Sequence, residues 1–196
     1  MTALRPDLEV IARQIEAGTR VLDVGCGDGD LMEVLQRDKR VDARGMEIDP
    51  VAVEHCVSRG LSVVQGDANR DLAEYPDQAF DYAVLSQTLQ TAERPDLMLE
   101  ELLRIGKSAF VSFPNFGHWR VRWALMRTGR MPVTRQIPVT WYETRNIHHL
   151  TIKDFTDLMA ERRVTVERCW FFAQGREIGA GGANWRAENA VFLVRG

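Results

Sequence analysis

Short runs of apolar residues alternate along the chain with segments whose apolar positions recur every three or four residues. The runs are typical of buried strands, and the periodic segments are typical of amphipathic helices that pack on them. The apolar runs predict seven strands, at residues 20–24, 43–48, 61–65, 80–85, 109–113, 164–172 and 190–194. The periodic segments predict helices at residues 7–16, 30–37, 50–57, 94–103 and 154–162.

Strands that alternate with helices indicate an α/β fold, in which a doubly wound, Rossmann-like sheet is mostly parallel and carries helices on both faces. The last two predicted strands have no helix between them, only a glycine-rich segment around Gly179, Gly181 and Gly182. We therefore expect these two strands to pair as an antiparallel hairpin. At 196 residues the chain is expected to form one domain, residues 1–196, with an insertion at about 114–150.

Composition limits the classes of function. The net charge of −3 argues against a chain that binds nucleic acid through overall positive charge. Cys26, Cys56 and Cys169 are widely spaced and form no Cys-x-x-Cys pair, so we expect neither a disulfide framework nor a metal site. The start of the chain has no apolar signal core, and no apolar run is long enough to span a membrane. We expect a cytoplasmic protein.

Residues 21–29 read Val-Leu-Asp-Val-Gly-Cys-Gly-Asp-Gly and join a predicted strand to a predicted helix. Such a turn can hold a nucleotide-like ligand, because glycines let the backbone approach it and the helix start presents free N–H groups. The spacing is Gly-x-Gly-x-Gly rather than the Gly-x-Gly-x-x-Gly of dinucleotide sites, and Asp23 precedes the first glycine by two residues. A carboxylate there repels phosphate and favours an amine. The motif therefore predicts a cationic ligand without phosphate, such as S-adenosylmethionine (SAM).

A second acid follows the next predicted strand. Glu47 lies 18 residues beyond Gly29, close to the ~20 residues typical of a ribose-binding acid. Its two carboxylate oxygens can accept hydrogen bonds from both ribose hydroxyls. Asp49 is the alternative ribose ligand, but its position before Pro50 favours a helix cap.

The order of elements resembles the class I methyltransferase fold over nearly the whole chain. The resemblance implies that Asp67, in Gly66-Asp67-Ala68, accepts from the adenine amino group, and that Ser86-Gln87 lines the methionine end of SAM. A plain turn carboxylate and plain loop polarity remain the alternatives. The candidate cofactor-binding residues, for SAM or S-adenosylhomocysteine, are Asp23, Gly25, Cys26, Gly27, Gly29, Glu47, Ile48, Asp67, Ala68, Ser86 and Gln87.

A catalytic group is harder to find. The segment after the fourth strand reads Leu85-Ser86-Gln87-Thr88, which excludes the Asn/Asp-Pro-Pro-aromatic motif of nucleobase and amide N-methyltransferases. None of the cysteines lies in the Pro-Cys setting of C5-pyrimidine enzymes. Many small-molecule methyltransferases carry a histidine where this chain has Gln90, and glutamine cannot act as a base. His118, His148 and His149 lie in or beside the insertion, and the catalytic residues stay unassigned.

The insertion lies in a basic, aromatic stretch. Residues 102–142 contain no Asp or Glu and interleave aromatic residues with seven basic ones, which are Arg104, Lys107, Arg120, Arg122, Arg127, Arg130 and Arg135. Arginine with tryptophan and tyrosine is enriched at protein–protein hot spots and also suits base stacking in RNA. The third interpretation is an amphipathic lid helix, with Trp119, Trp123 and Met126 packed on the sheet and the arginines in solvent.

The insertion also carries a closer resemblance. The segments that resemble the MetW family are Phe113-Pro114-Asn115-Phe116-Gly117-His118-Trp119, residues 132–138, Trp141-Tyr142-Glu143-Thr144-Arg145-Asn146-Ile147-His148, and Thr151-Ile152-Lys153-Asp154-Phe155, together with the glycine loop. The family usually has Asp-Thr-Pro-Asn where this chain has Glu143-Thr144-Arg145-Asn146, which loosens one turn.

The MetW resemblance implies a role in methionine biosynthesis beside homoserine O-acyltransferase, the enzyme that activates homoserine. We expect contact with that enzyme through the insertion, by way of Trp119, Arg122, Trp123 and Arg127. A SAM pocket without an evident base then indicates an accessory or regulatory protein. The alternative is an active SAM-dependent methyltransferase that acts on a small molecule.

Overall fold

The computed structural model describes residues 4–134 and 139–196, so Arg135 and the end of the 132–138 stretch lie outside the described residues. Within these ranges one sheet has eight strands, which are β1 (Arg20–Val24), β2 (Asp42–Glu47), β3 (Ser62–Gln65), β4 (Phe80–Ser86), β5 (Gly106–Pro114), β6 (Thr165–Ala173), β7 (Arg176–Ile178) and β8 (Asn189–Arg195). Seven of them are the predicted strands. The eighth, β7, follows a two-residue turn in which Gln174 and Gly175 both have positive φ, a geometry suited to tight hairpins.

The helices include all five that the sequence pattern predicts. In the described ranges they are α1 (Pro6–Gln14), α2 (Asp30–Lys39), α3 (Pro50–Ser58), α4 (Ala68–Asp71), α5 (Pro95–Ile105), α6 (Trp119–Thr128), α7 (Ile152–Glu161) and α8 (Ala183–Arg186). No helix in the described part of the chain has the length and apolar character needed to cross a bilayer.

The sheet has the strand order β3-β2-β1-β4-β5-β8-β6-β7. The first five strands in this order, β3, β2, β1, β4 and β5, run parallel to one another. Strand β8 runs antiparallel to both of its neighbours, β5 and β6. The predicted doubly wound sheet with a C-terminal antiparallel pair is therefore confirmed. The connection within that pair is more than a glycine turn, because it contains β7 and α8.

Apolar side chains alternate between the two faces of the sheet. Leu22 and Val24 of β1 belong to a cluster that also contains α5 and α7, while Val21 belongs to a cluster with α1 and α2. The helix that follows β1 and the helix that follows β4 therefore cover opposite faces. From β1 the chain continues to β2 and β3 on one side of the sheet, and from β4 it continues to β5 on the other side. The point between β1 and β4 is therefore the switch point, where ligands bind in doubly wound sheets.

An aromatic group fastens α7 to the sheet. The Phe155 ring of α7 lies 4.9 Å from Phe113 of β5 and 4.6 Å from Phe192 of β8, measured between ring centroids. All three side chains are fully buried. We expect Phe155→Ala to lower the free energy of unfolding by about 3–5 kcal/mol, because it leaves a cavity in a packed core.

Urea unfolding measures this loss. Val57→Ala, a truncation at an exposed position of α3, is the control and should change the free energy by less than about 0.5 kcal/mol. Equal effects of the two substitutions would contradict the packing described for α7.

Candidate ligand-binding site at the carboxyl ends of the strands

Two glycines of the loop between β1 and α2, Gly25 and Gly29, have no room for a side chain, whereas Gly27 faces open space. Gly25 has φ of +72°, and a Cβ added there would lie 2.5 Å from Oγ1 of Thr88, in the loop after β4. Gly29 has φ of +79°, and its added Cβ would lie 2.4 Å from Cδ1 of Leu61. Gly25 therefore lets two loops meet at the switch point, whereas Gly29 serves the packing behind the loop.

The loop amides are occupied within the chain. Four backbone N–H groups donate hydrogen bonds that fold the loop against the end of β2 and upon itself. Three go to backbone carbonyls, Gly25 N to Met46 O at 2.8 Å, Cys26 N to Met46 O at 3.2 Å and Gly29 N to Cys26 O at 3.0 Å, and Gly27 N donates to the side-chain Oε2 of Glu47 at 2.8 Å. A phosphate would find none of these four amides available, which agrees with the inference from Asp23. All four lie before the first residue of α2, and the expectation of free N–H groups at the helix start itself stays a prediction.

Glu47 is held by backbone amides at the end of β2. Its Oε1 accepts from the N–H groups of Ile48 and Asp49 at 2.9 and 3.0 Å, and its Oε2 accepts from Gly27. A carboxylate has about four lone-pair sites, so the capacity left for a ligand lies on Oε2. Asp49 instead caps α3, accepting from Val51 N at 3.0 Å, and this prediction is confirmed.

Glu47 lines an open cavity of about 350 Å³ beside β2 and β3. The predicted residues Ile48, Asp67 and Ala68 line it as well. Other described residues around it are Gly25, Met46, Gly66, Asn69, Thr88, Thr91, Ala92, Met98 and Arg145. We call this space the first cavity.

Asp67 has a structural role in the first cavity. Its Oδ1 caps the four-residue α4, accepting from the backbone N–H and the side-chain amide of Asn69 at 3.0 and 2.9 Å. Its Oδ2 lies 3.8 Å from Nε of Arg70, a long ion pair at an exposed arginine. The turn role of Asp67 is therefore present, and Oδ2 retains the capacity to accept a hydrogen bond from a ligand.

A second open cavity, of about 440 Å³, adjoins the first. Gly25 and Thr88 line both. The other described residues around the second cavity are Arg5, Leu8, Asp23, Cys26, Gly27, Asp28, Asp30, Leu31, Ser86 and Gln87. Of the predicted site residues, Gly29 alone lines neither cavity.

Asp23 is the buried charge of the second cavity. Only 3% of its surface is exposed, and burial raises the pKa of its carboxyl from 3.8 to about 7. The Arg5 guanidinium acts in the opposite direction and lowers this pKa, while Glu47 raises it further. An incoming ammonium group would stabilise the ionised carboxylate.

Ser86 belongs to a buried polar network. Its Oγ lies 3.0 Å from Oδ2 of Asp7, 3.1 Å from Oγ of Ser112 and 2.8 Å from Nη2 of Arg5. The backbone of Gln87 lies in the left-handed region, with φ of +56°, and its backbone N–H donates to Ser112 O at 2.9 Å. Both predicted residues therefore border the second cavity on a rigid turn.

The lining residues that the sequence did not predict include Arg5, Thr88 and Arg145. Arg5 lies 20 residues before Gly25, outside any motif. Thr88 follows the predicted pair Ser86-Gln87 by one position. Arg145, interpreted only as the loss of a family proline, lines the first cavity.

None of the four histidines lines either cavity. His118 is buried and caps α6, accepting from Arg120 N at 3.3 Å, and burial lowers its pKa. His149 packs edge-on against Phe116 at 4.4 Å, and His55 pairs with the exposed Asp28. Cys26 does line the second cavity, but burial raises the pKa of its thiol and opposes the nucleophilic form.

Helix α6 presents aromatic residues to solvent. Trp119, Trp123 and Met126 are 39%, 53% and 71% exposed, and Arg127 is exposed beside them. The lid-helix interpretation, in which these apolar side chains pack on the sheet, is therefore wrong. We call these four residues the α6 surface.

The basic residues of the 102–142 stretch do not all share one surface. Arg104 pairs with Glu101 and Asp77, and Lys107 pairs with Asp81 at the amino ends of the strands. Both are therefore remote from the candidate site at the carboxyl ends. The positive charge that goes with the α6 surface comes from the arginines of α6 itself.

The raised pKa of Asp23 makes a prediction about stability. The native carboxyl loses its proton near pH 7 and the unfolded one near pH 3.8, so Asp23 costs increasing stability as pH rises through this interval. Asp23→Asn removes that cost. We expect its stabilising effect in urea unfolding to be about 2–3 kcal/mol larger at pH 8 than at pH 5. If Asp23→Asn changes the free energy of unfolding by the same amount at pH 5 and pH 8, the description of Asp23 as a buried carboxyl with a raised pKa is contradicted.

Comparisons with known proteins give relatives for nearly the whole chain. The similar curated proteins include the bifunctional methionine biosynthesis protein MetXA/MetW of Rhodopirellula baltica, 33% identical over an alignment of 186 residues that covers 89% of this chain and 30% of the relative. The ubiquinone biosynthesis O-methyltransferase of Xanthomonas euvesicatoria is 32% identical over 162 residues, 78% of this chain and 64% of the relative. The chain thus spans less than two thirds of the length of either protein.

Solved structures agree on the fold. A SAM-dependent methyltransferase from Mesorhizobium loti matches with a TM-score of 0.70 at 14% identity, over 97% of this chain and 96% of that one. One from Archaeoglobus fulgidus matches with a TM-score of 0.69 at 14% identity, over 96% and 94%. The family model described as methionine biosynthesis protein MetW matches residues 5–194. The chain belongs to the MetW family, the methionine biosynthesis proteins with a SAM-methyltransferase fold.

Proposed function

We propose that this protein binds SAM at the switch point and acts as an accessory, regulatory partner of homoserine O-acyltransferase. The observation that carries the first part is the pair of adjoining cavities that meet at Gly25 and Thr88. SAM is made from methionine, the product of the pathway, so its binding would report methionine supply to the enzyme that begins it.

The two cavities match the two ends of SAM. The first cavity offers Oε2 of Glu47 to the ribose and Oδ2 of Asp67 to the adenine amino group. The second cavity offers the Asp23 carboxylate to the ammonium group. The carboxylates in both linings, with four loop amides already used internally, favour a cation over a phosphorylated nucleotide.

Glu47→Ala tests the ribose end. We expect it to raise the SAM dissociation constant by about 10-fold or more in calorimetry, because charge-assisted hydrogen bonds contribute ~1.5–3 kcal/mol each. Asp49→Ala is the matched control, since it removes a neighbouring carboxylate that lines neither cavity. The control should lower stability by about 1 kcal/mol and leave the SAM affinity within about twofold. An unchanged affinity in Glu47→Ala would remove Glu47 from the ribose site.

The accessory role is favoured by the chemistry of the lining. The described residues around both cavities include carboxylates and the Cys26 thiol, but no histidine, lysine or tyrosine. Gln90, at the position of a family base, is buried, and its amide donates to Gln87 O at 2.7 Å. The proposed SAM contacts use the carboxylates of Asp23, Glu47 and Asp67, so the described lining of neither cavity offers a histidine, lysine or tyrosine as a separate base for a methyl acceptor.

The second candidate is an active methyltransferase, favoured by the similarity to ubiquinone biosynthesis O-methyltransferases. Methylation of a carboxylate substrate needs no base, so this function is compatible with the same lining. Incubation with SAM and a metabolite extract separates the candidates. Stoichiometric binding of SAM with no S-adenosylhomocysteine formed supports the accessory role. Steady formation of S-adenosylhomocysteine supports an active methyltransferase.

The α6 surface is proposed as the contact with homoserine O-acyltransferase. Support comes from the fused relative, whose printed name joins MetXA to MetW in one polypeptide. Trp123 and Met126 are more than half exposed, and residues 102–142 contain no acid to offset Arg127. Such a surface fits an apolar partner face with an acidic rim.

Within the insertion, Arg122 has an internal role. Its Nε donates to Gly117 O at 2.5 Å, and its guanidinium lies 5.4 Å from the Trp185 ring centroid. Replacing it would disturb the link between α6 and α8. Trp123 and Arg127 are therefore the better positions for testing the partner contact.

We expect Trp123→Ala combined with Arg127→Glu to weaken binding to homoserine O-acyltransferase by about 10-fold or more, because exposed tryptophan and arginine are typical hot spots. Val57→Ala combined with Arg13→Glu is the control, since it alters an exposed apolar residue of α3 and an exposed arginine of α1. Purified proteins in a biosensor titration give the affinities. Equal affinities for both double variants would remove the α6 surface from the interface.

A further inference from the structure

The second cavity contains opposite charges on two unrelated segments. Asp23 lies in the buried part of β1, whereas Arg5 precedes α1. Among the described residues that line this cavity, Arg5 is the cation and the others with charge are acids. A ligand group that pairs with both Asp23 and Arg5 must itself carry a positive and a negative charge.

The polar network around Ser86 fixes Arg5. Asp7, two residues further, is buried and accepts from the hydroxyls of Ser86 and Ser112 at 3.0 and 2.9 Å. This anchors the start of α1 to the ends of β4 and β5. The helix also buries Val10 and Ile11 in the core beside α2. The position of Arg5 is therefore set before any ligand enters.

The Arg5 side chain has donors to spare. Its Nη2 donates to Ser86 at 2.8 Å and lies 3.5 Å from Asp7. Within residues 4–134 and 139–196, its Nε and Nη1 make no hydrogen bond, and about half of the side chain is exposed. A guanidinium carries five N–H donors in a fixed plane that matches a carboxylate.

We propose that Arg5 binds the carboxylate of the ligand's amino-acid end while Asp23 binds its ammonium group, so that the site selects an intact α-amino acid zwitterion. This inference rests on the proposed SAM site and adds the residue that recognises the carboxylate. It makes the start of α1 part of the binding site. The amino-acid end lies in the second cavity and the nucleoside in the first.

Decarboxylated SAM is the probe, because it keeps the adenosine, the sulfonium and the ammonium but lacks the carboxylate. Calorimetry on the full chain compares it with SAM for the unaltered protein, Arg5→Met and the control Arg13→Met, an exposed arginine on the same helix. We expect Arg5→Met to weaken SAM by about 10-fold or more and to change decarboxylated SAM by less than about twofold. Arg13→Met should leave both affinities unchanged.

Other outcomes overturn the inference in distinguishable ways. If Arg5→Met weakens both ligands equally, Arg5 supports the fold of the cavity and does not recognise the carboxylate. Unchanged SAM affinity in Arg5→Met removes Arg5 from the site while the SAM proposal stands. If the unaltered protein binds neither ligand, the proposed function and this inference fail together.

Discussion

The carboxylate of Glu47 accepts three backbone N–H groups, and the arrangement of the site depends on it. One donor is Gly27, in the loop after β1, and the others are Ile48 and Asp49, after β2. A single side chain therefore fixes the glycine loop against the neighbouring strand end and leaves one oxygen directed to a ligand. The bond from Gly27 also occupies a backbone N–H that could otherwise bind a phosphate. Glu47 therefore both fixes the glycine loop and favours a ligand without phosphate.

A second constraint is steric and lies on the other side of the loop. Gly25 touches Thr88 so closely that the loops after β1 and β4 meet with no space for a methyl group. This contact borders both cavities. Around it the buried Asp23 and the half-exposed Arg5 give the second cavity both signs of charge, and the first cavity has the carboxylates of Glu47 and Asp67 together with Arg145. The shape and charge of the site together describe a nucleoside joined to a zwitterion.

The strand and helix pattern was sufficient to predict the sheet, because buried apolar runs and amphipathic periods carry that information locally. It missed β7, whose three residues depend on a Gln174-Gly175 turn that has no strong sequence signal. Motif spacing predicts Glu47 as a site residue and the family resemblance implies Asp67, and both line the first cavity. Arg5 and Arg145 were not, since they reach the cavities only through the packing of α1 and of the insertion. The exposure of Trp123 also depends on that packing, because an amphipathic pattern does not distinguish a face on the sheet from a face left for a partner.

The central claim is that the two cavities hold the two ends of one SAM molecule. A crystal structure of the full chain with SAM tests it most directly. The account predicts the ribose beside Glu47, the adenine beside Asp67, and the ammonium group beside Asp23, with the sulfonium near Gly25 and Thr88. SAM bound elsewhere, or bound with its adenosine in the second cavity, would contradict it.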